Sequence, residues 1–239
     1  MTDYNLYRGS IFHCIEDGGN VKPVYFPDGL MVVSEGKIVE VGEYSELSVR
    51  FRSGDHIVHF KDSLIMPGFI DSHIHYPQYK VISSYGTSLL QWLNKYTFVE
   101  EQKFSDIDYA SRIAELFLDE LIRNGTTTAM TFCTSHKQSV DVFCSAAEKR
   151  NLRMIAGKVM MDRNAPEELC DDVESSYADS KSLIEKWHNK GRLSYAVTPR
   201  FAPTSTEGQL IQAAKLLKEY PNTKSAKGVL LQTHLNENS

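Results

Sequence analysis

Two histidines, His73 and His75, sit near the end of the stretch PGFIDSHIHYPQ at residues 67–78. In an extended strand, residues two apart point to the same face, so both imidazoles can reach one metal ion. Imidazole nitrogen suits zinc or iron, and two ligands from one rigid strand end lose little freedom on binding. Taken alone, the pair is equally consistent with two plain histidines alternating on a half-exposed strand. His56 and His59, in an earlier β-rich segment, read as structural. A third histidine, His234, shifts the balance because it closes an apolar run, GVLLQTHL. Arg200 and Phe201 close another, LSYAVTPRF. Functional side chains arriving from the C-terminal ends of different parallel strands are the pattern of an α/β active site. The commoner fate of an arginine is the surface. Glu237, three residues after His234, is placed to carry protons at the same site, although its spacing alone favours an ordinary loop carboxylate.

The elements that must position these residues follow from periodicity and punctuation. Over the first sixty or so residues, short β-like runs alternate with turns, and SEGK between LMVV and IVEVG predicts a hairpin because Gly36 tolerates positive φ. This predicts a small β-sandwich-like module over residues 1–66, ending near MPGF. From residue 67 the texture becomes strand then helix, repeated, which implies parallel strands with crossover helices. LIMPGFIDSHIH, TTTAMTFCT, RMIAGKVMMD, LSYAVTPRF and GVLLQTHL read as five strands. Between them lie helices over about 106–124, capped by Ser105 and stopped by Gly125, then SVDVFCSAAEKRN, then residues 166–190 with Trp187 inward, then TEGQLIQAAKLLKEY. The first helix presents Ile113, Leu116, Phe117 and Leu121 at helical spacing. Residues from HYPQ to YTFVEEQKF are irregular.

Composition narrows the class. The 239 residues suffice for one large domain or a large one with a small one, and 41% hydrophobic with 24% charged residues is ordinary for a globular chain. A net charge of -5 without a dense Lys/Arg tract argues against nucleic acid or an anionic membrane as partner. The N-terminus MTDYNLYRGS has neither a basic nor an apolar signal region, and no apolar stretch approaches the roughly 20 residues that span a bilayer. Cys14, Cys133, Cys144 and Cys170 form no C-x-x-C pair and read as reduced thiols of a cytoplasmic protein. The Pro-Cys-x-x-Cys ligand pair of cytidine-type zinc deaminases is absent.

Taken together, PGFIDSHIHYPQ, LLQWLNKYTF, TTTAMTF, VTPRFAPT and LQTHLNEN resemble the amidohydrolase superfamily and, within it, the guanine deaminases. The resemblance runs from the β module to the last residue. His-x-His after Pro-Gly is shared by many amidohydrolases, whereas Tyr-Pro-Gln, Trp-Leu-x-Lys-Tyr-Thr-Phe and Pro-Arg-Phe narrow it to the guanine branch. The resemblance implies a metal-dependent hydrolase of (β/α)8 barrel fold, residues 67–239 being its N-terminal part, cut after about the fifth strand. It implies that His73, His75 and His234 bind one zinc ion per subunit, iron being the alternative, and that His75 and His234 also face the substrate. It implies that Gln78 hydrogen-bonds the purine, that Arg200 and Phe201 contact its polar edge and face, and that Glu237 shuttles protons. The implied reaction is hydrolysis of guanine at C2 to xanthine and ammonia in purine catabolism, by a homodimer in the full-length form.

The family also uses a histidine from the sixth strand and an aspartate from the eighth, and this sequence reaches neither. The aspartate is the base for the attacking water, and losing a general base typically costs about 10²–10⁴-fold. This chain alone is therefore expected to be inactive. Two alternatives stay open: an amidohydrolase acting on another aminated heterocycle, such as an adenine derivative or a triazine, and a non-catalytic half-protein that works only with a C-terminal partner.

Overall fold

The first strand, β1 (Asn5–Asp17), folds back on β2 (Asn20–Ser34), and β2 on β3 (Lys37–Glu43), both antiparallel. The second turn is the expected one: Glu35 and Gly36 adopt φ of 50° and 72°, the left-handed pair that matches strand twist in a two-residue hairpin. The computed structural model describes residues 4–51 and 56–235. It divides into two units, Met1–Gly68 and Phe69–Ser239.

In the first unit, β4 (Ile57–Ile65) adds parallel to β1, giving the order β3-β2-β1-β4. Leu64 and Ile65 pair with Ser10 and Ile11 of this sheet. They do not lead into the next strand, as the continuous reading of LIMPGFIDSHIH expected. Pro67 has no N–H for a sheet ladder, and the chain leaves strand conformation over residues 66–68. One sheet is formed by the described residues of this unit, where a sandwich-like module was expected. Its core, Leu6, Leu30, Val32 and Leu47, is covered by the single turn Tyr44–Leu47 instead of a second sheet.

The second unit holds β5 (Phe69–His75), β6 (Thr126–Phe132), β7 (Arg153–Gly157), β8 (Val159–Met160), β9 (Ser194–Pro199) and β10 (Leu230–Leu231). All pairings are parallel and the order is β10-β9-β7-β6-β5, with β8 also on β9. Spatial order follows chain order, so each strand is added at the same edge. A doubly wound sheet would reverse direction. Every residue of β9 is buried, as a parallel strand covered on both faces requires.

Among the described residues, four long helices cross between strands: Ile107–Arg123, Lys137–Lys149, Val173–Trp187 and Glu207–Glu219. The cap of the first is Asp106 and not Ser105. The Asp106 carboxylate accepts from the backbone N–H of Asp108 and Tyr109, whereas the Ser105 hydroxyl donates to the Gln102 carbonyl. Gly125 ends that helix at φ +79°. Its buried stripe is Ala110, Ile113, Ala114, Phe117, Leu118 and Leu121. Leu116 lies on the flank and is exposed. Residues 166–172 are not α-helical, and the third helix starts only where the Asp172 carboxylate caps it on the Ser175 N–H. Trp187 faces inward as expected, donating Nε1–H to Asp141 at 2.8 Å. All four cysteines are free thiols. Among the described residues, no helix is long and apolar enough to cross a membrane.

Close strand approach sets one strict requirement. A Cβ on Gly157 would lie 1.7 Å from the Ala196 carbonyl oxygen and 2.5 Å from Thr198 Oγ1. Both are on β9, and the Ala196 carbonyl is backbone, so room can be made only by moving that strand. Gly157→Ala is expected to destabilise the protein by about 3 kcal/mol, the upper range for overpacking. Gly208→Ala, where a Cβ meets only ordinary contacts, should stay within about 0.5 kcal/mol of the parent. Urea denaturation of both variants checks this, and equal midpoints would contradict it.

Candidate active site

His73 and His75 leave the C-terminal end of β5. The β5–β6 register slips between Asp71 and Ile74, a bulge of the kind that re-aims side chains next to active sites. Asp71 secures it by accepting the His73 backbone N–H at 3.0 Å. Past the bulge, His75 pairs directly with Phe132 of β6. Phe132, fully buried, stacks on the His75 ring with centroids 4.5 Å apart and planes at 11°, and lies 4.5 Å from the His234 ring. One phenyl ring therefore forms the floor under two imidazoles.

His234 arrives from the other edge of the sheet. Beyond β10 the chain stays tied to β9: Gln232 N–H donates to the Val197 carbonyl, and His234 N–H to the Arg200 carbonyl at 2.9 Å. The buried Gln232 side chain bridges strands, donating to the Thr131 carbonyl and to Thr198 Oγ1. The His234 Nδ1 also lies 2.8 Å from the Arg200 carbonyl oxygen. A carbonyl only accepts, so Nδ1 carries the proton and Nε2 presents its lone pair.

That lone pair points into a cluster. The nitrogen atoms offered by His73, His75 and His234 all lie within 4.8 Å of one another, and the Nε2 atoms of His75 and His234 are 3.0 Å apart. Two imidazole ligands on a tetrahedral ion with bonds of 2.0–2.1 Å would be separated by about 3.3 Å. The donor set suits a metal ion, and the His75–His234 separation is close to the one a shared ion would set. His75 Nδ1 is buried with no hydrogen-bond partner, an unsatisfied polar atom of the kind that marks a functional site. Burial holds the His75 pKa well below the usual 6.5, with the charges of Arg200, His234 and His73 adding to the effect. His75 is therefore neutral near pH 7, the state in which imidazole binds metals.

The remaining wall comes from the stretch that read as irregular. It is a run of short helical turns, Leu89–Trp92, a π turn at Leu93–Thr97, Phe98–Glu101 and Gln102–Ser105. π turns occur frequently at functional sites. This run supplies Glu101, only 1% exposed, whose two carboxylate oxygens accept from Arg200 Nη1 at 3.1 and 2.8 Å. Arg200 itself is 3% exposed, so it is not the solvated surface arginine that its residue type alone favours. Burial pushes the Glu101 carboxyl upward, and the Arg200 charge opposes that.

A cavity of about 400 Å³ opens over the histidines, its lining including His73, His75, Gln78, Trp92, Arg200 and His234. Of the residues singled out from the sequence, the structure gathers His73, His75, His234, Gln78 and Arg200. Phe201 is half-buried and does not line the cavity, while Glu237 lies outside the described residues. Sequence reasoning missed Phe132, Glu101 and Gln232. Phe132 stood at a strand end beside the histidines, which was a usable signal, but nothing distinguished Glu101 from Glu100 before the fold.

The sequence profile of the amidohydrolase family matches residues 64–239. The chain belongs to the amidohydrolase family. Membership implies a metal cofactor, in keeping with the three-histidine cluster. The chain is 49% identical over 214 residues to the guanine deaminase of Escherichia coli strain K12, covering 90% of this chain and 47% of that protein. Among solved structures, E. coli guanine deaminase superposes with a TM-score of 0.90 at 45% identity, over 98% of this chain and 54% of that one. Guanine deaminase from C. acetobutylicum, solved with bound guanine in its active site, gives 0.86 at 31% identity, over 99% and 54%. The chain spans about half the length of the curated relatives it matches.

The depressed His75 pKa has a consequence for the metal-free protein. The native state holds His75 neutral, whereas the unfolded chain takes up a proton near the ordinary value of 6.5. Stability from this group is complete above that pH and falls as pH drops through it. Metal-free protein should lose about 1 kcal/mol more than its His75→Asn variant between pH 7.5 and 5.5, since one proton corresponds to about 1.4 kcal/mol per pH unit. Urea titrations at both pH values measure this, and parallel curves for the two proteins would contradict it.

Proposed function

We propose that this chain is part of a guanine deaminase, its second unit forming the first five strands of a (β/α)8 barrel, with β7 and β8 as one interrupted strand. The observation that carries the reading is the three-histidine cluster in one cavity with the buried Arg200 and Gln78. The similarity to guanine deaminases supports it, as does a strand order that follows chain order. His73, His75 and His234 are proposed to hold a zinc ion, which when bound supplies the Lewis acidity that makes hydroxide available near neutral pH.

The chain's own residues then bind and orient the purine. Arg200 has donors and no acceptor, so it suits the carbonyl oxygen of guanine and not an amine. Gln78, which both donates and accepts, suits the mixed polar edge of the ring. Trp92 gives the cavity an aromatic wall, and Phe201 is proposed as an outer contact on the ring. Water adds at C2, the exocyclic amine leaves as ammonia, and xanthine results. Glu237 is proposed to carry the proton from the incoming water to the ring nitrogen and the departing amine. The proposed assembly is a homodimer, and the proposed compartment the cytoplasm.

The test is deamination by the full-length protein, followed by ammonia release and guanine absorbance. Guanine should be turned over at least about 100-fold better than adenine, cytosine or melamine, because buried polar groups reject substrates that leave them unpaired. Removing the metal with a chelator, or substituting His75→Ala or His234→Ala, should each cost more than about 100-fold. Absence of guanine turnover, or turnover indifferent to the chelator, would contradict the proposal.

A further inference from the structure

The ion pair between Glu101 and Arg200 is buried on both sides, at 1% and 3% exposure. Taking two charges out of water costs several kcal/mol per ion, so such a pair is weak evidence of a stabilising role, and apolar residues of similar size often serve a fold as well or better. Its geometry suggests another role. Glu101 engages Nη1 alone, and Nε and Nη2 donate to none of the described residues. The guanidinium carbon sits 5.3 Å from the centroid of the Phe98 ring, three residues before Glu101 on the same helical turn. Phe98 thus packs against the face of the group and Glu101 fastens one end. Three N–H donors remain on a side chain that lines the cavity.

We infer that Glu101 is a positioning residue for substrate recognition: it fixes Arg200 so that the unused donors meet the guanine carbonyl. The inference rests on the guanine reading above. An unanchored arginine samples many rotamers, and ordering it on binding would cost part of the contact it makes. Fastened in advance by Glu101, Arg200 is ordered before substrate arrives. Among the described residues, the side-chain hydrogen bonds of Glu101 go to Arg200, so it acts through that residue.

The experiment compares Glu101→Gln, Glu101→Asp, Arg200→Ala and the double variant E101Q/R200A in the full-length metal-loaded protein. KM and kcat for guanine, metal content and melting temperature are measured for each. Glu101→Gln is expected to raise KM about tenfold, the equivalent of one oriented charge-assisted hydrogen bond, with kcat changing much less and metal content intact. Glu101→Asp, which keeps the charge, should recover part of the loss. The double variant should match Arg200→Ala, because Glu101 has nothing left to position. Additive effects in the double variant, or a Glu101→Gln that lowers melting temperature while leaving KM unchanged, would overturn the inference and leave the guanine reading standing. If Glu101→Gln does not fold, Glu101→Asp decides, and an unchanged KM there overturns the inference. An unsubstituted protein that fails to deaminate guanine would overturn the reading itself, and this inference with it.

Discussion

The carbonyl oxygen of Arg200 is where two parts of the second unit meet. It accepts the backbone N–H of His234 and faces that residue's Nδ1, so it extends the β9–β10 ladder and fixes a histidine tautomer at once. Arg200 also sends its side chain to Glu101 on the helical run before the first crossover helix. Arg200 thereby couples β10, the end of β9 and the helical run beside the cavity.

Below the ladder, packing gives the cluster its rigidity. Phe132 offers one ring to two imidazoles, and Gln232 spans β6 and β9 with a single buried amide. Aromatic stacking and hydrogen bonds in a water-poor interior are stronger than the same contacts at the surface. His75 and His234 are therefore held with little freedom to lose, and rigid support is what a metal site requires of its surroundings. The cost is polar burial, seen in the charged pair behind Arg200 and in the unpartnered Nδ1 of His75. A fold built for stability alone would have little reason to keep them.

Much of this was legible in the residues. The strand–helix alternation, the SEGK hairpin and Trp187 as an inward anchor follow from periodicity and turn chemistry, and the meeting of His73, His75 and His234 from their places at strand ends together with the resemblance to amidohydrolases. Legibility failed where two local signals competed. Asp106 displaced Ser105 as helix cap because a carboxylate can accept from two backbone N–H groups at once. Leu64 and Ile65 looked continuous with the next strand, but Pro67 breaks the ladder and they pair within the first unit. Glu101 lay in a segment without regular periodicity, and only the meeting of that segment with the end of β9 gave it a role. The bulge at residues 71–74 coincides with a break in alternation, Asp71-Ser72-His73, that does not by itself say where the register slips.

His73, His75 and His234 are proposed as ligands of one metal ion. X-ray absorption at the zinc edge on the metal-loaded full-length protein tests this most directly. The account predicts a first shell of nitrogen and oxygen at about 2.0–2.1 Å with the multiple-scattering signature of imidazole, reduced on substitution of His234. A shell containing sulfur at about 2.3 Å, or one without imidazole, would contradict it.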